Sequence, residues 1–504
     1  MKRYAEILFQ ASLVCAVLAI PLASLDVCTW WTISYFPERP SYLVALAGVF
    51  FWFLSGHWYR EAPRHKALLV CVLIALLWST FATVCGSLER KPGHLTFDYL
   101  LLYLNWRVWP LVFLIWMALA FSELQHNRIV KLLSLSLLLL FLPNLIHEVL
   151  EILANAGTSG VKDFLVNINP FFRKAKANGG WWPPVFFEGR VRGLFAEPSY
   201  MGFSLLPLFG YFVARLRKSW LYGLPLAALF VIYGCSKTYS GLLGVTAFLI
   251  FLVILNDRLP RRMRWSVAGC VCGLGMLLLV GWFAFGKQTD LGRNMAREFH
   301  NIERLSSYCV AINAGQHPAV PKLDYRKTLP SSAGPRLTAM WLDITTALHA
   351  PLVGTGFYQR GFFLFPLAAC DFQDAEFGQW MRQATASPLR AVPQLSEYTA
   401  LMAEFGFPGL FFFLLLYGFI GKQALRFSQK NNDYFLFCMT CSYCAMLVSA
   451  MFVSLINVVL FFYFSGILYA LSKPSMPISS NRTGAVPERM TGSRPSMWCK
   501  YRCD

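Results

Sequence analysis

Seven residues stand out by type and neighbourhood. Arg190 and Arg192 lie in the run Gly189-Arg190-Val191-Arg192-Gly193-Leu194-Phe195-Ala196-Glu197-Pro198-Ser199. A guanidinium is a planar fork that grips phosphate oxygens through two parallel N–H bonds, so paired arginines suit a phosphorylated substrate. Glu197 follows them and is a carboxylate that could accept a proton. Arg336 opens a second segment with the same capacity. Lys237 sits in the tight turn Ser236-Lys237-Thr238-Tyr239-Ser240-Gly241, Glu397 borders an apolar run, and Arg107 lies inside one. An arginine in hydrocarbon is costly and turns to a partner or to a water-filled cavity. Each residue also has a plainer reading. Arg190 and Arg192 could be snorkelling interfacial anchors, Lys237 a polar hairpin cap, and Arg107 half of an ion pair with Asp98 or Glu148. At this level both readings stay open.

The elements that must position these residues are apolar helices. Of the 504 residues, 56% are hydrophobic and only 14% charged, against roughly a quarter charged in soluble chains. Apolar stretches of about 20 residues recur, the length that crosses a bilayer core as a helix. They are continuous, whereas the strands of a membrane barrel alternate. The expected spans are about 7–25, 41–58, 67–85, 99–121, 130–150, 197–214, 219–234, 239–255, 266–285, 397–420, 434–452 and 455–471. The fold class expected is an all-α polytopic membrane protein with about 12 transmembrane helices. A transmembrane domain covers 1–472, and a basic tail rich in Ser, Pro and Arg, 473–504, is expected to be disordered. The first span follows Lys2 and Arg3 and reads as an uncleaved helix, because Pro21 and Asp26 follow it in place of a cleavage site.

The net charge of +19 suggests nucleic acid until the cations are placed. Lys2, Arg3, Arg60, Arg64, Lys66, Arg128, Lys131, Arg215, Arg217, Lys218, Arg258, Arg261, Arg262, Arg264, Lys422, Arg426 and Lys430 share one set of short segments. The opposite short segments hold Arg39, Arg90, Lys91 and Lys237. The positive-inside rule then places both termini in the cytoplasm, with the lipid bilayer as partner and no nucleic acid. Two long segments, 151–196 and 286–396, face outward. Both are basic and studded with Trp, Phe and Tyr, which points to folded structure. The second holds an expected helix near Pro335–His349, with Leu337, Trp341, Ile344 and Leu348 at helical spacing, followed by the turn Gly354-Thr355-Gly356. Cys438, Cys441 and Cys444 read as packing with no metal site expected. Cys309 and Cys370 share the large outer loop and could form a disulfide. Apart from Arg107 the spans are nearly free of charge, which weighs against a transporter or flippase. There is no Walker motif, HExxH pair or GxSxG elbow.

The order of these features resembles the O-antigen polymerase and ligase superfamily, particularly the Wzy-type polymerases of polysaccharide repeat units. The resemblance rests on RxRGLFAEPSxxG (Arg190 to Gly202), a Ser/Lys/Gly hairpin (Ser236 to Gly244), an Arg-then-Trp helix running into PLVGTG (Arg336, Trp341, Pro351 to Gly356), and AEFGFPGLF (Ala403 to Phe411). It implies a GT-C-like inverting glycosyltransferase on the periplasmic face of a bacterial inner membrane. No cofactor, nucleotide sugar or metal is implied. Donor and acceptor would be glycans on undecaprenyl pyrophosphate, and a chain-length regulator and a flippase would be partners. Arg190 or Arg192 and Arg336 would hold the pyrophosphate, with Arg107 and Lys237 as further binding candidates. Glu197 or Glu397 would be the base, ahead of His349. Ligases of the superfamily carry a His-Asn pair where this chain has Leu395-Ser396, which favours the polymerase branch.

Overall fold

In hydrocarbon a backbone can satisfy its own polar groups only by coiling or by closing a barrel. The computed structural model describes residues 2–26, 39–90, 97–172, 186, 188–271, 273, 290–323, 334–370, 394–455 and 458–473. Among these there are helices and no strands. Five helices are long and apolar enough to cross a membrane: Arg3–Leu25, Trp58–Leu88, Tyr99–Ser122, His126–Asn155 and Glu397–Lys430. Shorter apolar helices are Pro40–Ser55, Trp220–Ser236, Tyr239–Ile254, Tyr434–Ser449 and Leu460–Leu471. The chain is thus an all-α membrane protein. Most of the segment expected at 266–285, and the tail beyond Lys473, lie outside the described residues.

The segment expected as one span at 197–214 is instead two helices, Pro198–Ser204 and Leu206–Leu216. Pro207 lacks an N–H, which frees the chain to break at Leu205. Leu460–Leu471 is buried on every side and forms the centre of the bundle. Lipid tails supply no hydrophobic drive between helices, so close packing depends on small residues. Gly466 lies so near the Trp109–Ser122 helix that a Cβ would come within 2.5 Å of Leu114 O. Cys438 and Cys441 are buried in this core.

The large outer loop has a second, smaller core. Leu305, Tyr308 and Cys309 from Asp290–Asn313, Ala339 and Leu342 from Gly334–His349, and Phe363, Leu367 and Cys370 pack together. The helix expected near Pro335–His349 is present as Gly334–His349, and its stripe of large apolar residues faces outward. Ala339, Leu342, Thr346 and Ala347 are buried, while Trp341 and Leu348 are 44% and 65% exposed. The small residues let this helix seat closely on Asp290–Asn313 and Glu397–Lys430, and the large ones are turned out. Cys309 and Cys370 are both buried here as free thiols, so the disulfide considered for them is not formed. Burial pushes both thiols up, Cys370 to about 11.

Candidate functional site

Two of the sequence segments singled out above are laced together by their backbones. Thr355 N donates to Ala403 O at 2.9 Å, Gly356 N to Glu404 O at 2.8 Å, and Phe407 N to Pro351 O at 2.8 Å. The Gly354-Thr355-Gly356 turn therefore crosses the Glu397–Lys430 helix at its kink. Gly354 and Gly406 take φ of 72° and 69°, a region that favours glycine. A Cβ on Gly354 would lie 2.5 Å from the Glu404 carbonyl carbon, and one on Gly406 2.4 Å from Leu352 O. These glycines serve close approach of one backbone to another.

The arginine-rich segment is held from the His126–Asn155 helix. Glu151 Oε2 accepts from Arg192 N at 2.8 Å and from Gly193 N at 2.9 Å, and Asn144 Oδ1 accepts from Leu194 N at 2.9 Å. Asn155 accepts from Gly189 N and donates to Arg190 O. Arg192 is fully buried, folded under its own loop, with Nη1 donating to Ala196 O at 3.1 Å and Nε 3.9 Å from Glu151 Oε1. It does not face an opening, contrary to the expectation that it binds substrate directly. Arg190 is half-buried, and its side chain has no hydrogen-bond or ion-pair partner among the described residues. Lys237 is exposed in a left-handed conformation (φ 52°), with Nζ 3.8 Å from where a Cβ on Gly189 would sit. The hairpin is fastened to the same segment, since Tyr233 OH donates to Gly202 O at 2.5 Å.

The two laced regions meet at Glu197 and Arg336. Arg336 Nη2 is 3.8 Å from Glu197 Oε2, and the side chains are 31% and 18% exposed. Ser199 Oγ donates to the same oxygen at 2.6 Å, and Oε1 has no partner among the described residues. Glu197 begins the Pro198–Ser204 helix but makes no cap bond. Tyr200 lies within electrostatic reach of Glu197, Arg336, Tyr358 and Arg39, and Arg39 stacks on Trp106 at 3.9 Å. A guanidinium with spare donors thus faces a carboxylate with a spare oxygen at a partly open surface. The pair can bind an anion and accept a proton.

A second cluster lies wholly inside. Arg107 is 1% exposed, on a π-helical turn spanning Leu104–Val108. Its partners are Glu397 Oε1 at 3.0 Å and Glu404 Oε2 at 3.6 Å, in place of the expected Asp98 or Glu148. The rings of Phe357, Phe405 and Phe413 surround the guanidinium. Glu397 Oε2 accepts from Leu455 N at 2.9 Å and Ser454 Oγ at 3.2 Å, so both of its oxygens are engaged. Glu404 Oε1 accepts from Tyr358 N at 3.1 Å and from Gln394 and lies 4.0 Å from Arg360 Nε. Arg360 in turn pairs with Asp343, whose Oδ2 accepts from Thr399 Oγ1 at 3.1 Å. Burial raises the Asp343 carboxyl above its ordinary range, and Arg360 pulls it back.

Arg360, Asp343 and Glu404 were missed as members of one network, although Glu404 lies in a segment already singled out. The spans expected to be nearly uncharged also hold Glu148 and Glu404, and Glu151 lies one residue beyond one of them; all three are buried. Glu148 lies against Gly193, where a Cβ would be 2.8 Å from its Oε1. A carboxylate in an apolar run was the available signal for each of them. No family model matches the chain, and no curated protein matches it, so its function rests on the geometry above.

Proposed function

We propose that this chain is an inverting glycosyltransferase that joins undecaprenyl-pyrophosphate-linked oligosaccharide repeat units into a surface polysaccharide. In this proposal it works on the periplasmic face of a bacterial inner membrane, with about 12 spans, a GT-C-like architecture and both termini cytoplasmic. The observation that carries it is the meeting of Glu197 and Arg336 at a half-open surface. The acceptor hydroxyl attacks the donor's anomeric carbon from the side opposite the pyrophosphate. The bond from that carbon to the phosphate oxygen breaks, and the hydroxyl proton passes to Glu197. Arg336, aided by Arg190 and Lys237, stabilises the charge gathering on the leaving pyrophosphate. Arg336 Nη2 lies 3.8 Å from Glu197 Oε2. The incoming pyrophosphate draws the guanidinium away and leaves the carboxylate able to take a proton.

This reading gives the base to Glu197. Glu397 has both oxygens engaged in the interior, and it holds Arg107 in place. Arg107 and Arg192, both buried, position the loops that carry the site. The ligase alternative is weaker because Leu395 packs against the outer core and Ser396 caps the Glu397–Lys430 helix. Both residues have structural work at the place of the ligase His-Asn pair. The glycan banding of a deletion strain tests the proposal. Single repeats attached to the acceptor support a polymerase, no attached glycan supports a ligase, and an unchanged ladder overturns both.

A further inference from the structure

The outward stripe on Gly334–His349 is unusual for a loop beside water. Trp341 and Leu348 are 44% and 65% exposed, Leu352 just beyond them is 70% exposed, and Leu337 and Ile344 are partly so. The stripe continues onto a membrane-crossing helix. Pro351 accepts from Phe407 N, and the Leu352 backbone touches Gly406. From there Phe407 and Phe411, 44% and 59% exposed, run along the outer surface of Glu397–Lys430. The inner end of that helix is marked by Lys422, Arg426 and Lys430. Below the kink at Gly406, about 15 residues from Phe407 to Lys422 span roughly 22 Å at 1.5 Å per residue. In a hydrocarbon core about 30 Å thick, Phe407 is then roughly 7 Å inside the outer edge. The turn that touches Phe407, and the helix that precedes it, must sit at the membrane surface.

We infer that the Leu337–Trp341–Ile344–Leu348 stripe, with Leu352, lies in the outer leaflet of the bilayer and takes phospholipid acyl chains as its partner. An amphipathic helix in this position buries its apolar face at the boundary of headgroups and acyl chains, with Trp at the interface. Arg336 is the neighbour of Leu337, so the same helix carries it at the depth of lipid phosphates. Resting on the proposed function, this gives a polyprenyl pyrophosphate a path to Arg336 by lateral diffusion, without its tail leaving the bilayer.

The test uses the full chain in vesicles of phosphatidylethanolamine and phosphatidylglycerol. A small fluorophore is placed on Leu348→Cys, on Trp341→Cys, and on Gln316→Cys as an exposed loop control, with labelled wild type as background. A nitroxide-bearing phospholipid should quench the probes at 348 and 341 at least about threefold more than the probe at 316, and iodide should show the reverse order. Equal quenching of all three by iodide would place the stripe in water and overturn the inference. Protection of 348 and 341 from both quenchers would show a protein partner, such as a second copy, and would also overturn it. These outcomes do not depend on turnover. If the glycosyltransferase reading alone is wrong, the quenching pattern stands while no variant extends a lipid-linked glycan. If both hold, Leu348→Asp raises KM for a long-chain prenyl donor and leaves KM for a short-chain donor unchanged.

Discussion

The molecule holds two arginine–carboxylate clusters that differ in what surrounds them. Arg107, Glu397, Glu404, Arg360 and Asp343 are all buried and bonded to one another. Arg336 and Glu197 touch at a single 3.8 Å contact and keep part of their surface open. Removing one partner of a buried pair strands a charge in low dielectric, whereas an exposed pair contributes little to stability. The same residue types therefore do different jobs. The closed cluster ties the kinked Glu397–Lys430 helix to the outer loop, and the open one is available to a ligand.

That contrast can be broken from either side. The largest effect is expected from Arg107→Ala or Glu397→Ala, each costing about 3–5 kcal/mol of stability. The readout is the yield of folded protein and its melting temperature in detergent, and a normal yield would mean the cluster is not structural. Next, Glu197→Gln should leave yield unchanged and lower the rate of glycan extension by about 10²–10⁴-fold, as for a lost general base. Gly406→Ala sets a side chain in the left-handed region against Leu352 O, and strain of this kind costs about 1–3 kcal/mol, read as a lower melting temperature with the rate per folded molecule little changed. The smallest effect is Arg190→Ala. Its head has no hydrogen-bond or ion-pair partner among the described residues, so stability should shift by less than about 0.5 kcal/mol, while KM for the lipid-linked donor rises.

Much of the scaffold could be read from hydropathy, because a run of about 20 apolar residues has few alternatives to a helix. The bounds of Gly334–His349 were legible from the helical spacing of Leu337, Trp341, Ile344 and Leu348, but the face that packs inward was not, because spacing marks an apolar stripe without saying what it faces. The partners of Arg107 were illegible because spacing favours nearby carboxylates, while Glu397 is 290 positions away. Arg190 and Arg192 look equivalent in sequence. Hydrogen bonds that the backbone N–H groups of Arg192, Gly193 and Leu194 donate to Glu151 and Asn144 help to separate them, with Arg192 turned inward and Arg190 half-buried.

The most direct test compares Arg336→Ala with Arg107→Ala in one strain, measuring membrane-inserted protein and glycan length together. We predict that Arg336→Ala keeps normal protein and reduces the ladder to single repeats, while Arg107→Ala loses the protein itself. Normal ladders with Arg336→Ala at normal protein levels would contradict the account.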